Sequence, residues 1–238
     1  MRRAFAVVGI LIAALAAIVG AYAWVAFGHL APNEAAELDG VGFTLLDGYV
    51  SIGVVPLPAG GVLLVDAGVD PEGVALRDGL AARGLSLADV RAVLVTHGHP
   101  DHVAALRLMP GAEVVAMAEE RPFIEGERAF AGPLPSLFPA EAHGAVTRPA
   151  RDGERVEIGG RVVEGLLIPG HTPGSAAWLI DGVLFVGDAA SADDQGRLVT
   201  APWVFSDDLA LDAASLRALG DRLAARPIAA VVTSHTGV

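Results

Sequence analysis

The stretch Val95-Thr96-His97-Gly98-His99-Pro100-Asp101-His102 constrains this chain more than any other. It closes a largely apolar run, Ala92–Thr96, that reads as a strand and feeds a helix over Val103–Met109. Residues two apart at a strand's end point the same way, so His97 and His99 can grip one ion. Gly98 allows a tight turn between them, and Pro100 stiffens the loop. Asp101 and His102 then face the other side of that loop, where a second ion can sit. The fold must therefore end a strand in a metal-binding loop.

Composition narrows the chemistry. Cysteine is absent, so disulfides and thiolate ligands are excluded, and any metal must use imidazole and carboxylate, a donor set that suits zinc, iron or manganese. The net charge of −12 argues against a nucleic-acid partner, because phosphate tracking needs clustered cations. With 238 residues and 53% apolar content, one domain with a sizeable core is expected.

The run Ala4 to Phe27 carries no charge and follows Arg2 and Arg3. As a helix it extends roughly 36 Å, enough to cross a bilayer. Ala21-Tyr22-Ala23 offers a signal-peptide cleavage site, but the apolar run continues past it, which favours a retained anchor. Both readings keep the arginines inside and send the acidic flank (Glu34, Glu37, Asp39) outward, with the enzyme at the cell membrane and its catalytic part outside the cytoplasm, or else periplasmic or secreted. Residues 1–29 are expected as the anchor or signal, 30–40 as a linker and 41–238 as the folded domain.

Beyond the linker, short β-like runs cover Gly42–Leu45, Tyr49–Val55 and Val62–Asp66. Pro71–Arg83 has helical spacing, with Asp70 as N-cap and Gly84 as stop. Glu113–Ala116 reads as a strand followed by a helix through Arg128, and residues 132–149 as a Pro-rich loop. A second series, Arg161–Ile168, Ala176–Ile180 and Val183–Val186, contains the hairpin dipeptide Asp181-Gly182. Leu209–Ala225 is an amphipathic helix and Ile228–Thr233 a last strand. Strands then helix, twice over, predict an α/β fold of two sheets with helices outside.

The central segment resembles the HxHxDH signature of the metallo-β-lactamase superfamily, and later motifs appear in the family's order. Pro169-Gly170-His171-Thr172-Pro173-Gly174-Ser175 looks like its third motif, Phe185-Val186-Gly187-Asp188 its fourth, Thr233-Ser234-His235 its fifth and Val65-Asp66-Ala67-Gly68 its first. The resemblance implies a four-layer αββα sandwich and two Zn2+ per chain, with Fe or Mn as other choices. His97, His99 and His171 would hold one ion, and Asp101, His102 and His235 the other. Asp188 would bridge them, and Asp66 would orient a ligand histidine from behind. His29 and His143 fall outside every motif and are expected at the surface.

The same resemblance implies hydrolysis of an ester, lactone, thioester or amide of a small molecule by a hydroxide bridging the metals, with Asp101 orienting it and taking up its proton. Asp188, where β-lactamases carry Cys or another non-bridging residue, makes lactams less expected. No helical extension of the glyoxalase II type follows the last motif, and a glutathione thioester is not favoured. A mononuclear iron dioxygenase of the persulfide type and a non-catalytic scaffold are the competing readings. An apolar substrate pocket is expected from Tyr49, Trp203 and Phe205, with Phe130, Leu134 and Phe138 as further candidates. Oligomeric state is not legible.

Overall fold

The computed structural model describes residues 2–238. The apolar runs of the first half pair into one mixed sheet: β1 (Glu37–Leu38), β2 (Gly42–Asp47), β3 (Val50–Pro56), β4 (Val62–Val65), β5 (Val90–Leu94), β6 (Glu113–Met117) and β7 (Arg148–Ala150), in that spatial order. The first four are antiparallel neighbours, while β4 to β7 run parallel and need crossovers. The second half gives β8 (Arg155–Ile158), β9 (Arg161–Leu167), β10 (Ala176–Ile180) and β11 (Val183–Gly187) as an antiparallel meander. A ribbon, β12 (Ser191–Ala192) with β13 (Leu198–Val199), follows, and β14 (Ala230–Thr233) adds to β11 in parallel. Asp181 and Gly182 both take positive φ, 46° and 88°, as a type I′ turn requires.

The helices are α1 (Arg2–Phe27), α2 (Val74–Ala81), α3 (Pro100–Val103), α4 (Arg121–Ile124) and α5 (Leu209–Leu223). Alternate residues of each strand face opposite ways, which produces three apolar layers. One lies between the sheets, with Leu63, Leu94, Val163, Trp178 and Phe185. Another packs Ile52, Leu64 and Val93 of the first sheet on Leu76 and Leu80 of α2. The third packs Leu166, Leu184 and Val186 of the second sheet on Leu219 and Leu223 of α5. The expected αββα layering is the observed one. Trp178 is fully buried between the sheets, and its indole N–H donates to the carbonyl of Val95 at 3.0 Å, just before the histidine loop.

Three expectations change. The helix from Pro71 starts only at Val74, because Asp70 accepts from the N–H groups of Glu72 and Val74 in a tight turn and Gly73 is left-handed. Val103–Met109 is not one helix: the one-turn α3 and a 3-10 turn at Leu106–Leu108 share it. The expected linker 30–40 is tied down. β1 pairs with β2, and Asn33 donates to the carbonyls of Tyr49 and Ser234 at 3.0 and 2.9 Å while accepting from Ser51.

Within α1, Val8–Phe27 is long and apolar enough to cross a membrane, with mean hydropathy 2.3. Its C-terminal end rests on the domain. Tyr22 meets Trp203 edge-on with ring centres 6.0 Å apart, and Phe27 lies 6.3 Å from Phe205. Beyond it, Ala31 N–H donates to Ala192 O and Asp194 N–H to His29 O.

Candidate metal centre

The segments after β4, β5, β9, β11 and β14 end at one edge of the sandwich, so residues far apart in sequence share one site. His97 and His99 lie beyond the end of β5, on the loop into α3. His97 Nε2 is 3.0 Å from His99 Nδ1, and His171 Nε2 is 3.2 and 3.0 Å from those two atoms. A tetrahedral zinc with bonds of about 2.0–2.1 Å would hold its nitrogen ligands roughly 3.3 Å apart. Asp101, His102 and His235 form a second group: His102 Nε2 is 3.8 Å from Asp101 Oδ1, and His235 Nε2 is 3.7 Å from Asp101 Oδ2. Asp188 sits between the groups, with Oδ1 3.4 Å from His102 Nε2 and Oδ2 2.9 Å from His235 Nε2 and 3.8 Å from His171 Nε2. All seven expected ligands are thus brought together.

Buried polar atoms ordinarily find a hydrogen-bond partner. His102 Nε2 and Asp188 Oδ1 are buried without one, and both point into the space between the two groups. Together with an all-imidazole-and-carboxylate donor set, this fits divalent cations.

Most rings are held from behind, which fixes their tautomers. Asp66 takes the left-handed conformation, φ 64°, and accepts from Thr96 N–H and O–H, both at 2.7 Å, and from His102 Nδ1 at 2.9 Å. Since the Thr96 hydroxyl hydrogen goes to Asp66, His97 Nδ1–H donates to Thr96 Oγ1 at 3.2 Å, leaving the Nε2 lone pair free to ligate. His171 Nδ1 meets Ser206 Oγ at 3.2 Å, and His235 Nδ1–H donates to the Tyr49 carbonyl at 3.1 Å. Asp66 therefore steadies His102 directly and His97 through a hydroxyl. Gly187 has φ 59° and leaves room for that hydroxyl, since a Cβ there would lie 2.5 Å from Thr96 Oγ1.

Glu120 escaped the sequence reading. It is fully buried and accepts from Gly98 N–H at 2.7 Å, Thr172 O–H at 2.8 Å and Gly174 N–H at 2.8 Å, bracing the loops of His97, His99 and His171 together. Burial pushes its pKa up to about 7 against the pull of those donors. Gly174 must be glycine here, since a Cβ would lie 2.3 Å from the Glu120 nitrogen. Glu120→Ala is expected to weaken metal binding about 10–100-fold, the usual effect of losing such a support, with Glu120→Gln milder. Competition with a chromophoric chelator measures it, and unchanged affinity in the alanine variant would refute the brace.

Burial lowers the pKa values of His97, His99 and His171, that of His99 to about 4, so these rings are neutral at pH 7 as ligands must be. Burial also opposes charge on His102 and His235, but Asp188 and Asp101, with Asp66 for His102, outweigh it and raise both. Their carboxylate neighbours favour the protonated form of both rings, and ligation must displace those protons. Metal uptake is therefore expected to release protons, and apparent affinity should rise with pH. Calorimetry in buffers of different ionisation enthalpy reads the proton count, and none released would contradict the assignment.

A cavity of about 810 Å³ opens over the centre. Its walls include Tyr49, Phe130, Leu134, Phe138 and Phe205. Tyr49 stacks on His235 at 5.6 Å, and Phe130 meets the His99 ring edge at 4.4 Å. Two placements differ from expectation. Trp203 is not on the wall but packs on Tyr22, and His143 is a half-buried part of the wall and not a plain surface residue.

The sequence pattern of the metallo-beta-lactamase superfamily matches residues 46–235, which span this whole centre. The chain belongs to that superfamily. Hydroxyacylglutathione hydrolase of Fuscovulum blasticum is 35% identical over 142 residues, 59% of this chain and 47% of that one. The protein of that name from Synechococcus sp. is 36% identical over 155 residues, 57% and 52% of the two chains. The chain spans about half the length of the curated relatives it matches. Among solved structures, a subclass B3 metallo-beta-lactamase of Bradyrhizobium japonicum gives a TM-score of 0.64 at 25% identity over 87% of this chain and 79% of that one. The Rm3 metallo-beta-lactamase gives 0.66 at 24% identity, with 87% and 79% covered.

Proposed function

We propose that this superfamily member is a two-metal hydrolase, with zinc the preferred ion, that cleaves an ester, lactone or thioester of a small apolar molecule. The observation that carries this reading is Asp188, which lies within 4 Å of imidazoles from both ligand groups. His97, His99 and His171 would hold one ion, Asp101, His102 and His235 the other, with Asp188 shared. When bound, such ions supply an acidified water and polarise the substrate carbonyl.

The chain's own residues do the rest. Asp101, partly exposed at the cavity floor, orients the attacking water and takes up its proton. Asp66, Thr96, Ser206 and the Tyr49 carbonyl keep the ligand rings in register. Phe130 and Phe205 exclude bulk water from the acyl group. This chain's relatives include hydroxyacylglutathione hydrolases by name, and its structural neighbours include metallo-beta-lactamases. Asp188 in the bridging position weighs against a lactam. We further propose that α1 anchors the enzyme with this site outside the cytoplasm; protease accessibility in intact spheroplasts tests that orientation.

The deciding experiment is a panel of ester, lactone, thioester, β-lactam and phosphodiester substrates with the zinc-loaded full chain. Hydrolysis confined to acyl esters, lactones or thioesters, lost on chelation and regained with zinc, is the expected result. Turnover of the lactam alone, or oxygen consumption with one iron per chain, would overturn it.

A further inference from the structure

The geometry points to a more specific substrate: we infer that the cavity is an acyl-chain site filled from the bilayer, so that the enzyme cleaves single-chain amphiphiles whose acyl bond lies near the polar end. This rests on the hydrolase reading above, and three features of the cavity carry it.

The first is its lining. Away from the metal centre Phe27, Phe123, Phe130, Leu134, Phe138 and Phe205 make most of the wall, with Arg128, Glu141, His143 and Ser191 as its polar members. A pocket of about 810 Å³ lies within the usual range for ligand sites and leaves space beyond a small acyl group.

The second is where the cavity leads. Phe27 is at once the last residue of the apolar helix α1 and part of the wall, and Leu30 and Ala31 continue that wall. The helix end is fixed in place: Tyr22 packs on Trp203, Phe27 on Phe205, and the residues just beyond hydrogen-bond to the strand at 192 and its turn. With α1 as the anchor proposed above, its end at the cavity wall sets that wall at the bilayer surface.

The third is the rim. Phe138 is 62% exposed, Leu137 beside it 73% and Phe27 43%. Large apolar side chains left open around a cavity mouth mark a surface that meets lipid or another apolar phase, and the exposed Trp203, packed on Tyr22 of α1, has the amphipathic ring found at membrane interfaces. The polar end of the substrate would meet Asp101, Asp188 and the histidines, and its chain would run past Phe130 and Phe205 toward Phe27.

The test uses the zinc-loaded full chain in phosphatidylcholine nanodiscs with p-nitrophenyl acetate, octanoate and laurate. A rise in kcat/KM of at least tenfold from acetate to octanoate is expected, because each methylene buried adds to binding. Phe138→Asp, on the exposed rim where folding is not at stake, and Phe205→Ala should each cut the octanoate-to-acetate ratio at least fivefold. For laurate held in the disc, diluting it with more phosphatidylcholine at constant bulk concentration should lower the rate in proportion. A rate that tracks bulk concentration alone would overturn the bilayer route. Binding of the uncleavable 1-O-dodecylglycerol, followed by calorimetry, separates the two readings. Binding without hydrolysis of any ester would sink the hydrolase reading, whereas hydrolysis with no dependence on chain length and no dodecylglycerol binding would sink the acyl-chain site.

Discussion

Asp188→Asn is expected to lower kcat/KM about a thousandfold and to reduce the metal bound after dialysis from two equivalents to about one. The substitution keeps the shape of the side chain and removes its charge. In the native protein this carboxylate faces His102 and His235 at 3.4 and 2.9 Å and approaches His171 at 3.8 Å, so both ligand groups depend on it. A thousandfold loss corresponds to about 4 kcal/mol of transition-state stabilisation, a reasonable cost for one of two metal sites. Replacement at Asp66 should be gentler, because that residue acts only through Thr96 and His102. A variant at Asp188 that keeps two metals and stays within tenfold of native activity would show that the residue does not bridge.

The second large effect concerns the fold that presents the site. Trp178→Ala is expected to destabilise the protein by about 4 kcal/mol, within the range for emptying a buried aromatic site, against a total of about 5–15 kcal/mol for a domain. The ring is fully buried between the two sheets and lies against Gly165, where a Cβ would come within 2.6 Å of it. Its loss also removes the hydrogen bond to Val95, which joins the second sheet to the segment entering the histidine loop. At about 2–4 °C per kcal/mol for a domain of this size, the melting midpoint should fall about 10 °C. Trp178→Phe should recover much of this. Circular dichroism melts decide it, and a shift below about 3 °C in the alanine variant would mean that the inter-sheet core does not depend on the ring.

How far the sequence could be read follows from the physics of each feature. Metal ligation admits few residue types and demands tight turns, so His97, His99, Asp101 and His102 are legible from one short stretch, with His171, Asp188 and His235 following once the resemblance is drawn. The Asp181-Gly182 hairpin is legible because both residues tolerate positive φ. β7 and β8 were missed: Pro149 interrupts one, and the alternation of Arg155–Ile158 is short and charged. The helix expected through Arg128 ends at Ile124, where Gly126 turns left-handed at φ 72° and the chain leaves the helical path. Glu120 and Asn33 stayed hidden for a different reason. Their partners lie 22 to 54 and 16 to 201 residues away, and no local pattern encodes a hydrogen bond made across the fold.

The central claim is a centre that holds two metals through His97, His99, His171, Asp101, His102, His235 and Asp188. The most direct test is the metal content of the purified full chain after zinc loading and exhaustive dialysis, by plasma mass spectrometry, with Asp101→Ala and His171→Ala alongside. Two zinc per native chain, falling to about one in each variant, is the result this structure predicts; one metal per native chain, or iron retained in preference to zinc, would contradict it.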